Sequence, residues 1–215
     1  MRKHTVYLLA AIALQQLAVA QTTYRLPFAS SGNVVELAVA NSSAIEAKDV
    51  RVSVQNAPAW LHFTQKDQTI STVAAGEEQL ATFAFSVDKS APVGQEQTLS
   101  FVISNSKGES WTKEIRIAVA APETFELFQN YPNPFNPTTV ISYQLPVDSK
   151  VSLKVYNLLG QEVATVVDGE RKAGYHQETL NARSLASGVY VYQLVVGKEV
   201  TGREVISNKA MLLLK

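Results

Sequence analysis

The chain has 215 residues, of which 46% are hydrophobic and 18% charged, a composition and length suited to one or two globular domains. Lys plus Arg and Asp plus Glu both number 19, so the formal net charge is zero, and no nucleic-acid partner is expected without a clustered basic surface. The absence of cysteine excludes disulfides, thiol catalysis and cysteine-ligated metal sites.

The N-terminal segment has the three parts of a secretory signal peptide. A basic start at residues 2–3 precedes an apolar core over residues 6–14, and Ala18-Val19-Ala20 forms an A-x-A cleavage site before Gln21. The order of these parts favours a signal peptide over a short amphipathic helix. We therefore predict that residues 1–20 are removed, with Ala18, Ala20 and Gln21 defining the cleavage site. Because this is the longest apolar run, no internal transmembrane span is expected.

Residues 24–120 alternate between apolar and polar in short runs, which predicts β-strands. The predicted strands are 35–40, 50–54, 81–87, 99–103 and 115–119. Turn residues separate these runs, and the segment Asn105–Gly108 predicts a β-hairpin. Six or seven short strands at this spacing predict an immunoglobulin-like β-sandwich over residues 21–121. The order of strands and turns resembles the immunoglobulin-like modules of bacterial surface proteins.

A second β-sandwich is predicted over residues 122–215, because Ala121-Pro122-Glu123 ends one alternating pattern and a new one follows. Its predicted strands are 140–145, 150–156, 162–167, 189–196 and 210–214. Asp168-Gly169 and Ala173-Gly174 are predicted to interrupt the chain, and residues 182–185 allow at most one helical turn. The fold prediction is therefore all-β: two tandem immunoglobulin-like β-sandwich domains after a cleaved signal peptide.

Four motifs in the second domain resemble one known family. They are Leu127–Thr139, Val155–Val163, Leu185–Tyr192 and Lys209–Lys215. In this order, with the last motif at the end of the sequence, they resemble the type A C-terminal sorting domain of the type IX secretion system. Within the last motif the family places a basic residue directly before Met; here Ala210 intervenes between Lys209 and Met211.

The resemblance implies a route and a set of residues. Family members cross the inner membrane by a signal peptide, fold in the periplasm and cross the outer membrane when the secretion machinery recognises this domain. A surface protease often removes the domain, and the product is released or attached to the surface. The residues matched to the sorting motifs are Tyr131, Pro132, Asn133, Pro134, Phe135, Asn136, Pro137, Gly160, Gly188, Tyr190, Lys209, Met211, Leu212, Leu213, Leu214 and Lys215.

Three of these features have physical interpretations. The prolines fix φ and remove backbone donors, so residues 131–137 form a rigid surface loop that loses little entropy on binding. The strand Met211–Leu214 is able to pair with a sheet edge of its own domain or with a receptor by strand addition, and we favour recognition. For Gly160 and Gly188 we favour a structural role at strand ends.

Candidate catalytic residues are few. Beyond the predicted signal peptide there are two histidines: His62, interpreted as a partly buried strand residue, and His176, interpreted as a solvated one. No G-x-S-x-G elbow is present, Glu77-Glu78 is predicted to be a solvated turn, and residues 168–170 lack calcium-loop spacing. We therefore expect no enzymatic activity, no cofactor and no metal ion.

Two tryptophans leave a sugar-binding alternative open. Trp60 and Trp111 could stack on a sugar ring, but core burial is favoured for both, and for Trp111 because it shares a strand face with Ile115 and Ile117. The leading hypothesis is a non-catalytic exported surface protein with a structural or binding N-terminal module. The alternatives are a carbohydrate-binding or adhesion protein and a scaffold resembling flagellar hook-capping proteins.

Overall fold

A computed structural model describes residues 5–12, 22–197 and 204–215, with side chains for the last two ranges. All regular secondary structure in these ranges is β-strand, so the all-β prediction is confirmed. The chain divides into two compact units, residues 1–120 and 121–215. A search of the described ranges finds no helix that is long and apolar enough to cross a membrane.

The N-terminal unit is a sandwich of two sheets. Its strands are β1 (Thr5–Ile12), β2 (Thr23–Leu26), β3 (Asn33–Asn41), β4 (Ala47–Gln55), β5 (Leu61–Phe63), β6 (Asp67–Val73), β7 (Glu78–Val87), β8 (Gln97–Ser104) and β9 (Ser110–Val119). One sheet has the order β1-β3-β7-β5 and the other β2-β9-β8-β4-β6. The predicted hairpin is present between β8 and β9, with Ser104 opposite Ser110.

The apolar residues at alternate positions of each strand form the core of this unit. Val35, Leu37 and Val39 on β3 are all buried, as are the alternate valines of β4. Phe83 on β7 meets Phe101 on β8 of the other sheet, with ring centroids 5.7 Å apart. The apolar faces predicted from the sequence therefore point into one shared core.

Strand β1 lies within the predicted signal peptide. It pairs in parallel with β3, from Thr5 opposite Val34 to Ile12 opposite Asn41. The cleavage-site residues Ala18, Ala20 and Gln21 lie outside the described ranges, so cleavage stays a prediction. Removal of residues 1–20 would leave β3 at the edge of its sheet.

The C-terminal unit is also a sandwich. Its strands are β10 (Glu126–Leu127), β11 (Thr138–Leu145), β12 (Ser149–Tyr156), β13 (Glu162–Arg171), β14 (Gly174–Asn181), β15 (Gly188–Val196) and β16 (Val205–Leu213). The sheets have the orders β10-β11-β14 and β13-β12-β15-β16. Tyr143 and Tyr192 are the largest fully buried side chains of its core.

Asp168-Gly169 does not interrupt the chain as predicted. Strand β13 continues through both residues to Arg171, with Ser152 opposite Asp168 and Val151 opposite Gly169. Strand β12 offers a hydrogen-bonding partner along this whole length, and pairing overrides the local turn preference. Residues 182–185 were predicted to allow at most one helical turn. They form a turn in which the Leu185 amide donates to the Ala182 carbonyl, and no helix follows.

Candidate functional site

The proline-rich segment and the C-terminal strand are hydrogen-bonded to each other. The Phe135 amide donates to the Leu212 carbonyl, and the Leu214 amide donates to the Phe135 carbonyl, both at 3.0 Å. The Leu212 amide also donates to Asn133 Oδ1 at 2.9 Å. We call Asn133, Phe135, Leu212 and Leu214 the terminal clamp. Phe135 is only 2% exposed, so the clamp is anchored in the core as well as by its backbone.

A buried polar network holds the proline-rich segment behind the clamp. Asn130, only 2% exposed, donates from Nδ2 to the Pro132 carbonyl at 3.0 Å and to Thr139 Oγ1 at 2.9 Å. The Asn130 amide donates to the Tyr192 hydroxyl, which donates to the Phe128 carbonyl, both at 2.9 Å. Burial raises the pKa of Tyr192 to about 12 and keeps this hydroxyl protonated as a donor. The segment is therefore rigid before any partner binds.

The sorting-motif residues differ in exposure. Phe135, Tyr190, Met211 and Leu213 are buried; Pro137, Gly188, Lys209 and Leu212 are half-buried; Tyr131, Pro132, Asn133, Pro134, Asn136, Gly160, Leu214 and Lys215 are exposed. The terminal strand thus pairs with its own domain and presents only part of its side chains to solvent. Lys215 Nζ donates to the Arg183 carbonyl at 2.7 Å and to the Leu185 carbonyl, which fixes the chain end.

Strand register places the remaining matched residues beside this terminus. Gly188 lies opposite Leu213 and Tyr190 opposite Met211 on the neighbouring strands β15 and β16. A Cβ at Gly188 would meet nothing within 4 Å, so close packing is not its role; its φ of +156° is a conformation rarely adopted by other residues. Gly160, with φ +76°, closes the turn between β12 and β13.

The histidines make structural contacts or lie in solvent. His176, on β14, stacks on Tyr143 with ring centroids 5.1 Å apart, and its Nε2 lies 2.8 Å from the Lys172 carbonyl oxygen. His62 is exposed on β5, not partly buried as predicted, because its neighbours Leu61 and Phe63 supply the inward face of that short strand. Within the described ranges, no three His, Asp or Glu side chains group in a way that could hold a metal ion.

The two tryptophans have different environments. Trp60 is 8% exposed and belongs to the core of the N-terminal unit. Trp111 lies on the predicted face of β9, with Ile115 and Ile117, but it is half-buried against the core rather than within it as predicted. It also lines a cleft of about 260 Å³. Trp111 is the second residue of β9, next to the β8–β9 turn, so one side of its indole is left uncovered. Sequence reasoning assigned the face correctly and missed the cleft.

Two rigid loops form the walls of this cleft. Asn41 is 2% exposed and donates from Nδ2 to the Ile45 carbonyl at 2.8 Å, which fixes the loop after β3. Asn105 Oδ1 accepts from the Lys107 and Glu109 amides, which fixes the β8–β9 turn opposite. Glu46, Lys107 and Glu109 line the cleft together with Trp111. Glu46 Oε1 pairs with Lys48 Nζ at 2.9 Å, and Glu109 Oε2 accepts from Asn105 Nδ2 at 2.6 Å. The cleft therefore combines an aromatic surface with acceptors for hydroxyl groups.

Comparisons with known proteins identify one of the two units. A family model, the secretion system C-terminal sorting domain, matches residues 129–208. No curated protein matches the chain. Among solved structures the chain is similar to dimeric latent PorU from Porphyromonas gingivalis, with 13% identity, 92% of this chain and 19% of that chain covered, and TM-score 0.36. The chain thus spans less than a fifth of the length of PorU.

Two further solved structures share low similarity with the chain. The E. coli chaperone DraB has 15% identity, with 91% of this chain and 96% of that chain covered and a TM-score of 0.30. The secreted serine protease VesC from Vibrio cholerae has 9% identity, with 89% and 50% covered and a TM-score of 0.31.

Proposed function

We propose, from the premise that the C-terminal unit is a type IX secretion C-terminal sorting domain, that this protein is exported cargo with a non-catalytic N-terminal binding module. The sorting domain directs the chain across the outer membrane, to the cell surface or into the medium, through interaction with the secretion machinery. The observation that carries the proposal is the match over residues 129–208. In the same unit the first and last of the four motifs meet at the terminal clamp.

A non-catalytic role is supported by what the N-terminal unit offers. Its histidine beyond the predicted signal peptide, His62, is exposed on a three-residue strand. Glu77 and Glu78 are both exposed at the turn into β7. Neither arrangement pairs a nucleophile with a base. The two glutamates that line the Trp111 cleft are engaged, Glu46 by Lys48 Nζ and Glu109 by Asn105 Nδ2. A surface protease that removes the sorting domain after export is part of the same proposal.

Deleting residues 210–215 is expected to retain the protein in the periplasm. The deletion removes half of the terminal clamp, together with the buried side chains of Met211 and Leu213. Cell fractionation of a bacterium that exports the intact protein by type IX secretion would measure the result. Normal amounts of the truncated protein outside the cell would contradict the sorting assignment.

A matched control separates recognition from folding. The double variant Met211→Ala, Leu213→Ala loses the same two core side chains but keeps the strand backbone and the exposed Leu214 and Lys215. Export of this variant, with retention of the truncated one, would assign recognition to the terminal residues themselves. Retention of both, with both unfolded, would assign the requirement to the folded domain.

The Trp111 cleft favours a carbohydrate as the ligand of the N-terminal unit. A sugar ring presents an apolar face to an indole and hydroxyl groups at its rim, and the cleft offers Trp111 for the first and Glu46 and Glu109 for the second. The lining combines Glu46 and Glu109 with Lys107, and Glu46 is paired with Lys48, so the cleft is close to charge balance and favours a neutral sugar over a strongly charged one. This is the second candidate function, carbohydrate binding or adhesion at the cell surface.

Replacing Trp111 by alanine is expected to weaken binding to a neutral glycan at least about tenfold, since truncating a central Trp contact commonly costs about 2 kcal/mol or more. A glycan array with the purified protein identifies the ligand, and calorimetry measures the affinity. Trp111→Phe, which keeps an aromatic ring, is the control and should retain most of the binding. Uniformly blank arrays would leave the N-terminal unit with a structural role.

A further inference from the structure

The turn between β12 and β13 presents two leucines to solvent. Leu158 is 73% exposed and Leu159 is 84% exposed, the most exposed large apolar side chain of the described ranges. Single exposed apolar residues are common on protein surfaces, but two adjacent ones at the tip of a hairpin are not needed for solubility or folding. Their presence needs a reason outside the fold of the domain.

Other side chains build this turn. Asn157 Oδ1 accepts from the Leu159 and Gln161 amides at 3.0 Å, and the Gly160 amide donates to the Asn157 carbonyl at 3.0 Å. Gly160 takes the left-handed conformation that closes the turn, with φ +76°. The two leucine side chains add nothing to this hydrogen bonding. The turn fixes the backbone that carries them, so little backbone entropy would be lost when they bind.

Strand register places the tip at the same end of the sheet as the C-terminus. Tyr156, the last residue of β12, lies opposite Val191, so the tip extends towards the start of β15. Gly188, at that start, lies opposite Leu213 of β16. Val189 and Leu214 at this end are 42% and 50% exposed. We call Leu158, Leu159, Val189 and Leu214 the apolar end.

We propose that the apolar end docks onto an apolar surface of the outer-membrane secretion machinery, with Leu158 and Leu159 as its central contacts. This inference rests on the proposed sorting function. It adds to the terminal strand a second surface of this domain that the machinery contacts. Three of the four sorting motifs supply its side chains, which ties the surface to export rather than to the N-terminal unit.

The charges nearby favour a protein partner over a lipid surface. Lys154 Nζ pairs with Glu162 Oε2 at 2.8 Å, and Lys215 Nζ donates to two backbone carbonyls. These two cations are engaged within the domain, and Arg183, whose carbonyl accepts from Lys215, adds one exposed cation rather than a cluster. A peripheral membrane site combines its apolar residues with a cluster of lysines and arginines that faces the lipid. Two leucines beside engaged lysines suit an apolar pocket in a protein.

The test is the double variant Leu158→Ser, Leu159→Ser of the full chain, in a bacterium that exports the intact protein. We expect at least about a tenfold fall in the amount outside the cell, with accumulation in the periplasm. The urea midpoint of the purified variant should match that of the intact protein, because both leucines are exposed. The control is Ile206→Ser, 55% exposed at the opposite end of β16, which should be exported normally.

Three outcomes would overturn the proposal. Normal export of the double leucine variant would exclude the apolar end as a contact, and if the chain lacking residues 210–215 were still retained, the sorting function would stand without it. Flotation of the intact protein, but not of the double variant, with protein-free phosphatidylethanolamine and phosphatidylglycerol vesicles would assign the leucines to lipid. Retention of the double variant together with the Ile206→Ser control would show only a general sensitivity to surface changes and would also contradict the proposal.

Discussion

Replacing Phe135 by alanine is expected to destabilise the C-terminal unit by about 3–5 kcal/mol, the usual cost of truncating a buried phenylalanine. Its side chain is 2% exposed in the core that also holds Met211 and Leu213. Its backbone carries two of the three hydrogen bonds of the terminal clamp. Since a domain is commonly stable by only about 5–15 kcal/mol, the loss would be a large part of the total.

The chain offers a direct way to measure this loss. Both of its tryptophans, Trp60 and Trp111, lie in the N-terminal unit, so tryptophan fluorescence reports the unfolding of that unit. Far-ultraviolet circular dichroism reports both units. During urea unfolding of Phe135→Ala, we expect the dichroism transition of the C-terminal unit to move to lower urea while the fluorescence transition stays in place.

Tyr131→Ala is the matched control for Phe135→Ala. Tyr131 lies in the same proline-rich segment but is 81% exposed, so its truncation should leave both transitions unchanged. Equal effects of the two substitutions would show that the segment does not anchor through Phe135. A fluorescence transition that moved with Phe135→Ala would contradict the expectation that this substitution affects the C-terminal unit alone.

Destabilisation at Phe135 should also reduce export. The Leu214 amide bonds to the Phe135 carbonyl, so the position of the chain end depends on the core residue of the proline-rich segment. An unfolded C-terminal unit would separate the motifs that the fold brings together. We infer that the parts of the sorting signal are assembled by folding rather than by adjacency in sequence.

Local pattern predicted ten of the strands and their faces, but it gave no range for β2, β5, β6, β10 or β14. Alternation identified Ile141, Tyr143 and Leu145 as one face of β11, and all three are fully buried. Period-two alternation predicts such faces because each strand packs one side against a shared core. The prediction of an interruption at Asp168-Gly169 was wrong because turn propensity is local, whereas the pairing of β13 with β12 depends on residues elsewhere in the chain.

Contacts between distant residues could not be predicted. Asn133 Oδ1 and the Leu212 amide are 79 positions apart, and no sequence spacing indicates that they bond. The buried network of Asn130 and Tyr192 likewise joins residues 62 positions apart. The exposed leucines did have a sequence signal, because Leu158 and Leu159 stand between Asn157 and Gly160, two turn-forming residues. The Trp111 cleft depends on two loops meeting, which alternation does not describe.

The indole of Trp60 is buried although it carries a polar N–H group. Its side chain is 8% exposed in the core, and its Nε1 donor is buried without a hydrogen-bond acceptor among the described residues. An unpaired buried donor costs about 1–3 kcal/mol. The indole therefore stabilises the N-terminal unit through its apolar contacts and despite its N–H group.

Two substitutions separate these contributions. Trp60→Ala is expected to cost about 3–5 kcal/mol, because it leaves a large cavity among buried side chains. Trp60→Phe is expected to cost much less, about 1 kcal/mol, because the loss of ring volume is partly offset by removal of the unpaired donor. Urea unfolding followed by the fluorescence of Trp111 measures both, with Phe83→Ala, 1% exposed in the same core, as the reference for a large cavity.

The two results also bear on the ligand of the N-terminal unit. If Trp60→Phe were as destabilising as Trp60→Ala, the indole N–H would have a hydrogen-bond partner in the folded protein. The core around Trp60 would then contain a polar group that hydrogen-bonds to the indole. If Trp60→Phe kept both stability and glycan binding while Trp111→Ala lost only binding, the two tryptophans would have separate roles. Trp60 would then belong to the core and Trp111 to the cleft, although both face inward on strands or loops of the same sandwich.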